Sequence, residues 1–118
     1  MKKNVVLIEK SNIVFCLLKD RLKNYFKNKI NVMRYDDFSQ CNEINCDLYI
    51  YDYENPKEDF QGFLNFLNNN VKKSAVIFSS ILNDEGCISL NNFNNKYIKF
   101  SKYEDINTKI DETLKMNK

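Results

Sequence analysis

A chain of 118 residues, 43% hydrophobic and 29% charged, has the size and composition of one folded domain with a real core. Its net charge of +2, with lysines spread along the chain, argues against a nucleic-acid surface or an acidic tail. The absence of His removes most catalytic triads and most general-base schemes near neutral pH, and no apolar run approaches the ~18 residues of a membrane span.

Asn4 to Glu9 holds four consecutive apolar residues closed by an acid, which predicts a strand covered on both faces. Met1-Lys2-Lys3 ahead of it imitates a signal peptide. The apolar run is too short for one and ends in Glu9-Lys10 without a cleavage site, so a cytoplasmic chain is expected. Ser11 or Asn12 is a natural N-cap for a helix to about Phe26. Val14, Leu18, Leu22 and Tyr25 recur at helical spacing, with Lys19, Asp20, Arg21 and Lys23 facing outward. Ile30 to Tyr35 predicts a more polar strand, suited to a sheet edge. Asp36-Asp37-Phe38 then turns into a short, weakly apolar helix through about Asn45.

The third strand is Asp47 to Asp52, a run of β-favouring residues ending in a carboxylate, with the chain's only proline, Pro56, four residues on. An acid is expensive inside a core. Asp52 therefore belongs at the strand's carboxyl end, where a parallel sheet opens to solvent and ligand groups collect. Beyond Pro56, Phe60, Phe63, Leu64 and Leu67 mark a helix that holds Gly62 and frays in Asn68-Asn69-Asn70. Ala75 to Phe78 is the fourth strand, ending in Ser79-Ser80. Asn83-Asp84-Glu85-Gly86 leads to a poorly patterned helix through Leu90 and Phe93. Lys96 to Ser101 is the fifth strand. Glu104 or Asp105 starts the last helix, where Ile106, Ile110, Thr113 and Leu114 share a face. Cys16, Cys41, Cys46 and Cys87 lack the close pairs of a zinc site, so reduced thiols are expected.

Strands alternating with helices predict an α/β domain over residues 1–118, with a five-stranded parallel sheet in the order 2-1-3-4-5 and helices on both faces, the flavodoxin-like arrangement. Strands one and three are then neighbours, so Glu9 and Asp52 project from adjacent strand ends. Ser79 ends strand four on the other side of Asp52, and Lys102 follows strand five. A carboxylate pair, a hydroxyl and a lysine on one rim suit phosphoryl transfer onto Asp52.

The whole chain resembles the CheY-like receiver domain of bacterial two-component response regulators. The residues that carry the resemblance are Ile8-Glu9-Lys10, Asp52-Tyr53-Glu54-Asn55-Pro56, Phe78-Ser79-Ser80 and Ser101-Lys102-Tyr103. It implies Asp52 as phosphoacceptor, Ser79 and Lys102 as holders of the phosphoryl oxygens, and Mg²⁺ held by Glu9, Asp52 and the Glu54 carbonyl. It implies a sensor histidine kinase or other signalling protein as partner, and a switch rather than an enzyme. It also implies a partner or homodimer face over about residues 84–114, with neither direct nucleic-acid binding nor membrane contact.

The chain departs from that family in three places. Lys10 stands where the second acid would be. Tyr103 stands where Pro usually follows the lysine, so no cis peptide is expected there. The lysine itself is open between Lys102 and Lys99, and Tyr97 is the candidate aromatic switch or an ordinary packed Tyr. Glu9, Lys10, Asp52 and Lys102 sum to zero charge where the family pattern gives −2. At about 7 Å and an effective dielectric of ~40, the Lys10 ammonium repels a divalent cation by roughly 2 kcal/mol. Mg²⁺ affinity is expected to fall at least ~30-fold. Lys10 either swings toward Asp52 in place of the cation or points to solvent. Two functional readings follow: a phosphorylated receiver, or a pseudo-receiver that acts as a phosphorylation-independent interaction module. A flavodoxin-like cofactor binder is weaker, because Gly62 and Gly86 are the only glycines and form no phosphate loop.

Overall fold

The apolar run Val5 to Ile8 has no exposed surface, which only a strand covered on both sides achieves. In the computed structural model, which describes residues 2–41, 46–69, 73–79 and 97–116, this run lies in β1 (Lys3–Ile8). The elements that follow are α1 (Asn12–Phe26), β2 (Ile30–Tyr35), β3 (Leu48–Asp52), α2 (Lys57–Asn69), β4 (Ala75–Ser79), β5 (Ile98–Lys102) and α3 (Ile106–Met116). Short 3₁₀ turns occupy Lys27–Lys29, Phe38–Cys41 and Tyr103–Asp105. All strands are parallel, in the order β2-β1-β3-β4-β5.

Strand alternation splits the core into two layers. Val5, Leu7, Leu48, Ile50, Val76 and Phe78 pack with Leu18, Leu22 and Phe26 of α1 and Ile106, Ile110 and Leu114 of α3. Val6, Ile8, Tyr49, Tyr51, Ala75 and Ile77 face the other way, onto Phe63, Leu64 and Leu67 of α2. Helices therefore cover both faces, as the element order predicts. Gly62 has a packing reason: a Cβ there would lie 3.3 Å from the Phe38 ring.

Several boundaries differ from the sequence reading. In the segment after β2, Phe38–Cys41 form a 3₁₀ turn, and residues 42–45, the rest of the expected helix, lie outside the described ones. The helix expected over 83–93 also lies outside them, with Ser80, Asp84 and Cys87. β5 starts at Ile98, two residues later than expected, and ends one residue later, because its ladder with β4 continues to the Ser79–Lys102 pair. A 3₁₀ turn precedes α3. Phe26, not Tyr25, closes the inner face of α1, and Tyr25 is 52% exposed. Arg21 does not face outward. Its guanidinium forks onto the Tyr103 carbonyl at 2.8 Å and the Glu104 carbonyl at 2.5 Å, and lies over the Tyr103 ring. No cis peptide occurs among the described residues.

α1 is capped by Ser11, whose hydroxyl accepts from the Val14 amide at 3.2 Å. It ends at Lys27, the one described non-glycine residue with positive φ (54°, ψ −120°). A side chain in such a conformation costs on the order of 1–3 kcal/mol where glycine would be unstrained.

Asp59 of α2 ties two segments to the helix. One oxygen accepts from the Tyr51 hydroxyl at 2.8 Å and the other from the Phe38 amide at 2.5 Å. Burial first, then the Asp59 carboxylate, push the Tyr51 phenol well above its ordinary pKa. Asp59→Ala removes the acceptor that the Tyr51 hydroxyl and the Phe38 amide share and is expected to destabilise the fold by about 2–4 kcal/mol. Urea unfolding checks this. Tyr51→Phe added to Asp59→Ala is expected to recover part of the loss, since it removes a donor that has lost its carboxylate.

Candidate functional site

The carboxyl ends of β1 and β3 meet on one rim. Their last ladder pair is Ile8–Tyr51, which leaves Glu9 and Asp52 as the next residues on neighbouring strands. Both are buried, at 1% and 3% exposure. The chain keeps two acids there by giving them backbone donors. The Ser11 amide donates to Glu9 Oε2 at 3.1 Å, and the Glu54 amide donates to Asp52 Oδ1 at 2.9 Å. The loop after Asp52 is fixed by three further bonds. The Asn55 amide donates to the Asp52 carbonyl at 3.1 Å, the Tyr53 amide to the Phe78 carbonyl at 2.8 Å, and Asn55 Nδ2 to the Ile8 carbonyl at 3.2 Å.

Arg34 of β2 braces the other side. Its Nε donates to the Glu9 carbonyl at 3.1 Å and its Nη2 to the Lys10 carbonyl at 3.3 Å, and its guanidinium stacks 4.6 Å from the Phe15 ring centroid. Arg34 and Asn55 were not anticipated as site residues. Both act on backbone carbonyls, a role without residue-type signature. The one available signal was position, since each lies within a few residues of a strand's carboxyl end.

Burial pushes Glu9 up to about 8, and the neighbouring Asp52 and Glu54 carboxylates push the same way against the opposing Ser11 amide. At neutral pH Glu9 is therefore largely protonated. Its second oxygen, Oε1, is buried with no hydrogen-bond partner. An unpartnered carboxyl oxygen beside a second carboxylate fits a hard cation. Mg²⁺ commonly takes one or two protein carboxylates and keeps several waters, so Glu9, Asp52 and the Glu54 carbonyl suffice chemically. Among the described residues, no cluster of three or more acidic, Cys or His side chains forms a fuller cage.

Ser79, also buried, lies on the far side of Asp52, and its hydroxyl donates to Glu54 Oε1 at 2.5 Å. Lys102 pairs with Ser79 at the end of the β4–β5 ladder. Its ammonium sits 3.6 Å from Glu104. Lys99 pairs with Val76, three residues back, about 10 Å below the rim. The rim lysine is thus Lys102. Lys10 is exposed, and its ammonium makes no ion pair among the described residues. Of the two placements considered for it, the structure shows the solvent one. Tyr97 precedes β5 at the opposite, amino edge, where its carbonyl accepts from Ala75. It is about 16 Å along the strand from Lys102.

No family model matches the sequence, and no curated protein does. Solved structures do match. The chain is similar to the signal receiver domain of a putative LuxO repressor from Vibrio parahaemolyticus, at 17% identity and TM-score 0.74, covering 99% of this chain and 93% of that one. A Francisella response-regulator receiver domain matches at 16% identity and TM-score 0.76, covering 99% and 100%. The response-regulator domain of Thermotoga maritima CheB matches at 14% identity and TM-score 0.73, covering 99% and 96%. These structural neighbours are response-regulator receiver domains. The chain has their CheY-like, flavodoxin-type fold over essentially its full length. No helix among the described residues is long and apolar enough to cross a membrane.

Proposed function

We propose that the chain is a receiver module of two-component signalling, with Asp52 as the residue that accepts the phosphoryl group. The observation that carries this is the buried Glu9–Asp52 pair at the ends of adjacent parallel strands, with Ser79 and Lys102 on the same rim. The Glu54 amide holds Asp52 Oδ1, so the other carboxylate oxygen is the nucleophile. It forms a bond to phosphorus while the bond to the donor's leaving atom breaks and its electron pair departs with the donor. Mg²⁺, held by Glu9, Asp52 and the Glu54 carbonyl, would neutralise phosphoryl charge. The Ser79 hydroxyl must leave Glu54 to donate to a phosphoryl oxygen, and the Lys102 ammonium must leave Glu104. The phosphoryl donor is a sensor histidine kinase or another signalling protein in the cytoplasm, and the module works as a switch rather than as an enzyme. The partner face over residues 84–114 falls partly outside the described residues.

A second reading is the pseudo-receiver. Two observations favour it: Lys10 replaces a metal-binding acid, and the Glu54 carboxylate already engages Ser79.

Incubation with acetyl phosphate and Mg²⁺, followed by intact mass, separates the two. The expected result is a gain of one phosphoryl group that Asp52→Asn abolishes. No gain in a chain with a normal unfolding transition would sink the phosphorylation reading and leave the pseudo-receiver.

A further inference from the structure

Four lysines that look scattered in the sequence gather toward the amino edge of the sheet, the end opposite the Glu9–Asp52 rim. Lys2, Lys19, Lys23 and Lys27 line one open depression of about 590 Å³. Asn24, Asn28 and Asn31 add side-chain amides, and no acidic residue lines it. Its volume is in the range of small-molecule sites. None of the four lysines makes an ion pair among the described residues. Lys19 lies 5.6 Å from the Phe15 ring centroid, which limits where its ammonium can wander.

The partial negative charge at the end of α1 explains part of this. It accounts for Lys23 and Lys27 in or just after the last turn. It does not account for Lys2, which precedes β1, or for Lys19, two turns up the helix. Like charges crowded together repel, so the cluster weakens the fold unless something anionic fills it. Lys27 adds an independent sign. Its backbone has φ 54° and ψ −120°, where glycine is the undemanding residue. The chain holds a lysine in a strained conformation at the lip of the depression, and such strain concentrates at working sites.

We propose that this depression binds a small polyphosphorylated anion, with Lys2, Lys19, Lys23 and Lys27 as its charge partners. A bounded concavity and a small net charge favour a compact ligand over a nucleic-acid strand, which needs a long basic track. The proposal does not depend on the reading of the Asp52 rim.

The test is calorimetric titration of the whole chain with sodium tripolyphosphate in metal-free buffer. One-to-one binding tighter than about 1 mM at low salt is expected, weakening as salt is raised. The double variant Lys19→Gln, Lys23→Gln is expected to lose at least tenfold in affinity. Lys27→Gly is expected to lose affinity while its unfolding midpoint holds or rises, a split that a purely structural lysine would not give. Asp52→Asn is expected to bind as tightly as the parent. Absence of binding at millimolar tripolyphosphate overturns the proposal, as does unchanged affinity in the lysine variants. So does binding of a short oligothymidylate or of phosphatidylserine vesicles without binding of tripolyphosphate.

Discussion

Glu9→Gln is expected to stabilise the metal-free chain by about 3–5 kcal/mol above pH 8 and by less than about 1 kcal/mol near pH 5. The sign follows from where Glu9 keeps its proton. Its carboxyl titrates near 4.5 in the unfolded chain and is pushed up to about 8 in the folded one, by burial first and then by Asp52 and Glu54. Between those values the folded state holds a proton that the unfolded state has released. Stability therefore falls as pH rises through this window, by about 1.4 kcal/mol per unit, and levels off above pH 8. A neutral amide has no proton to lose, so the variant escapes the decline. Urea unfolding at several pH values between 5 and 9 reads the difference. Parallel curves for the two proteins would show that Glu9 is ionised in the fold. Mg²⁺ added at pH 8 is expected to stabilise the parent more than the variant, because the variant lacks the Glu9 carboxylate that would help hold the ion.

The second large effect concerns Lys10. Lys10→Asp is expected to tighten Mg²⁺ binding at least ~30-fold, equivalent to about 2 kcal/mol. Two changes contribute. The substitution removes a cation from the edge of the site and adds a carboxylate one residue from Glu9. The exposure of Lys10 makes the exchange tolerable for the fold, since no ion pair of its ammonium is lost among the described residues. Tyrosine fluorescence during Mg²⁺ titration checks this, because Tyr51 and Tyr53 flank Asp52. A variant that binds no more tightly than the parent would place the metal ligands elsewhere.

The sheet was legible because its strands are apolar runs punctuated by polar ends. Val5 to Ile8 and Ala75 to Phe78 read as central strands, and Asp52 at the end of Leu48 to Tyr51 marks the open edge. From that order alone Glu9, Asp52 and Ser79 fall on one rim. Lys102 over Lys99 needed the ladder, since both lie in or at the end of the same strand and only the register with β4 says which of them reaches Ser79. The direction of Lys10 was not readable, because a flexible stem leaves no periodic trace. Arg21 reads as a surface residue on helical spacing. Its burial comes from the Tyr103–Glu104 backbone, 82 and 83 residues away in sequence. The lysine cluster was invisible for the same reason: composition counts charges but not where folding gathers them.

That long-range fork of Arg21 has a mechanical consequence. α1 starts beside Glu9, where the Ser11 amide holds the Glu9 carboxyl, and is clipped by Arg21 to the turn after Lys102. Detaching this one helix slackens both flanks of the rim together. Hydrogen exchange should therefore find α1 amides and those of the Tyr103–Asp105 turn opening as a single cooperative unit, at a lower free energy than the amides of β1 and β3.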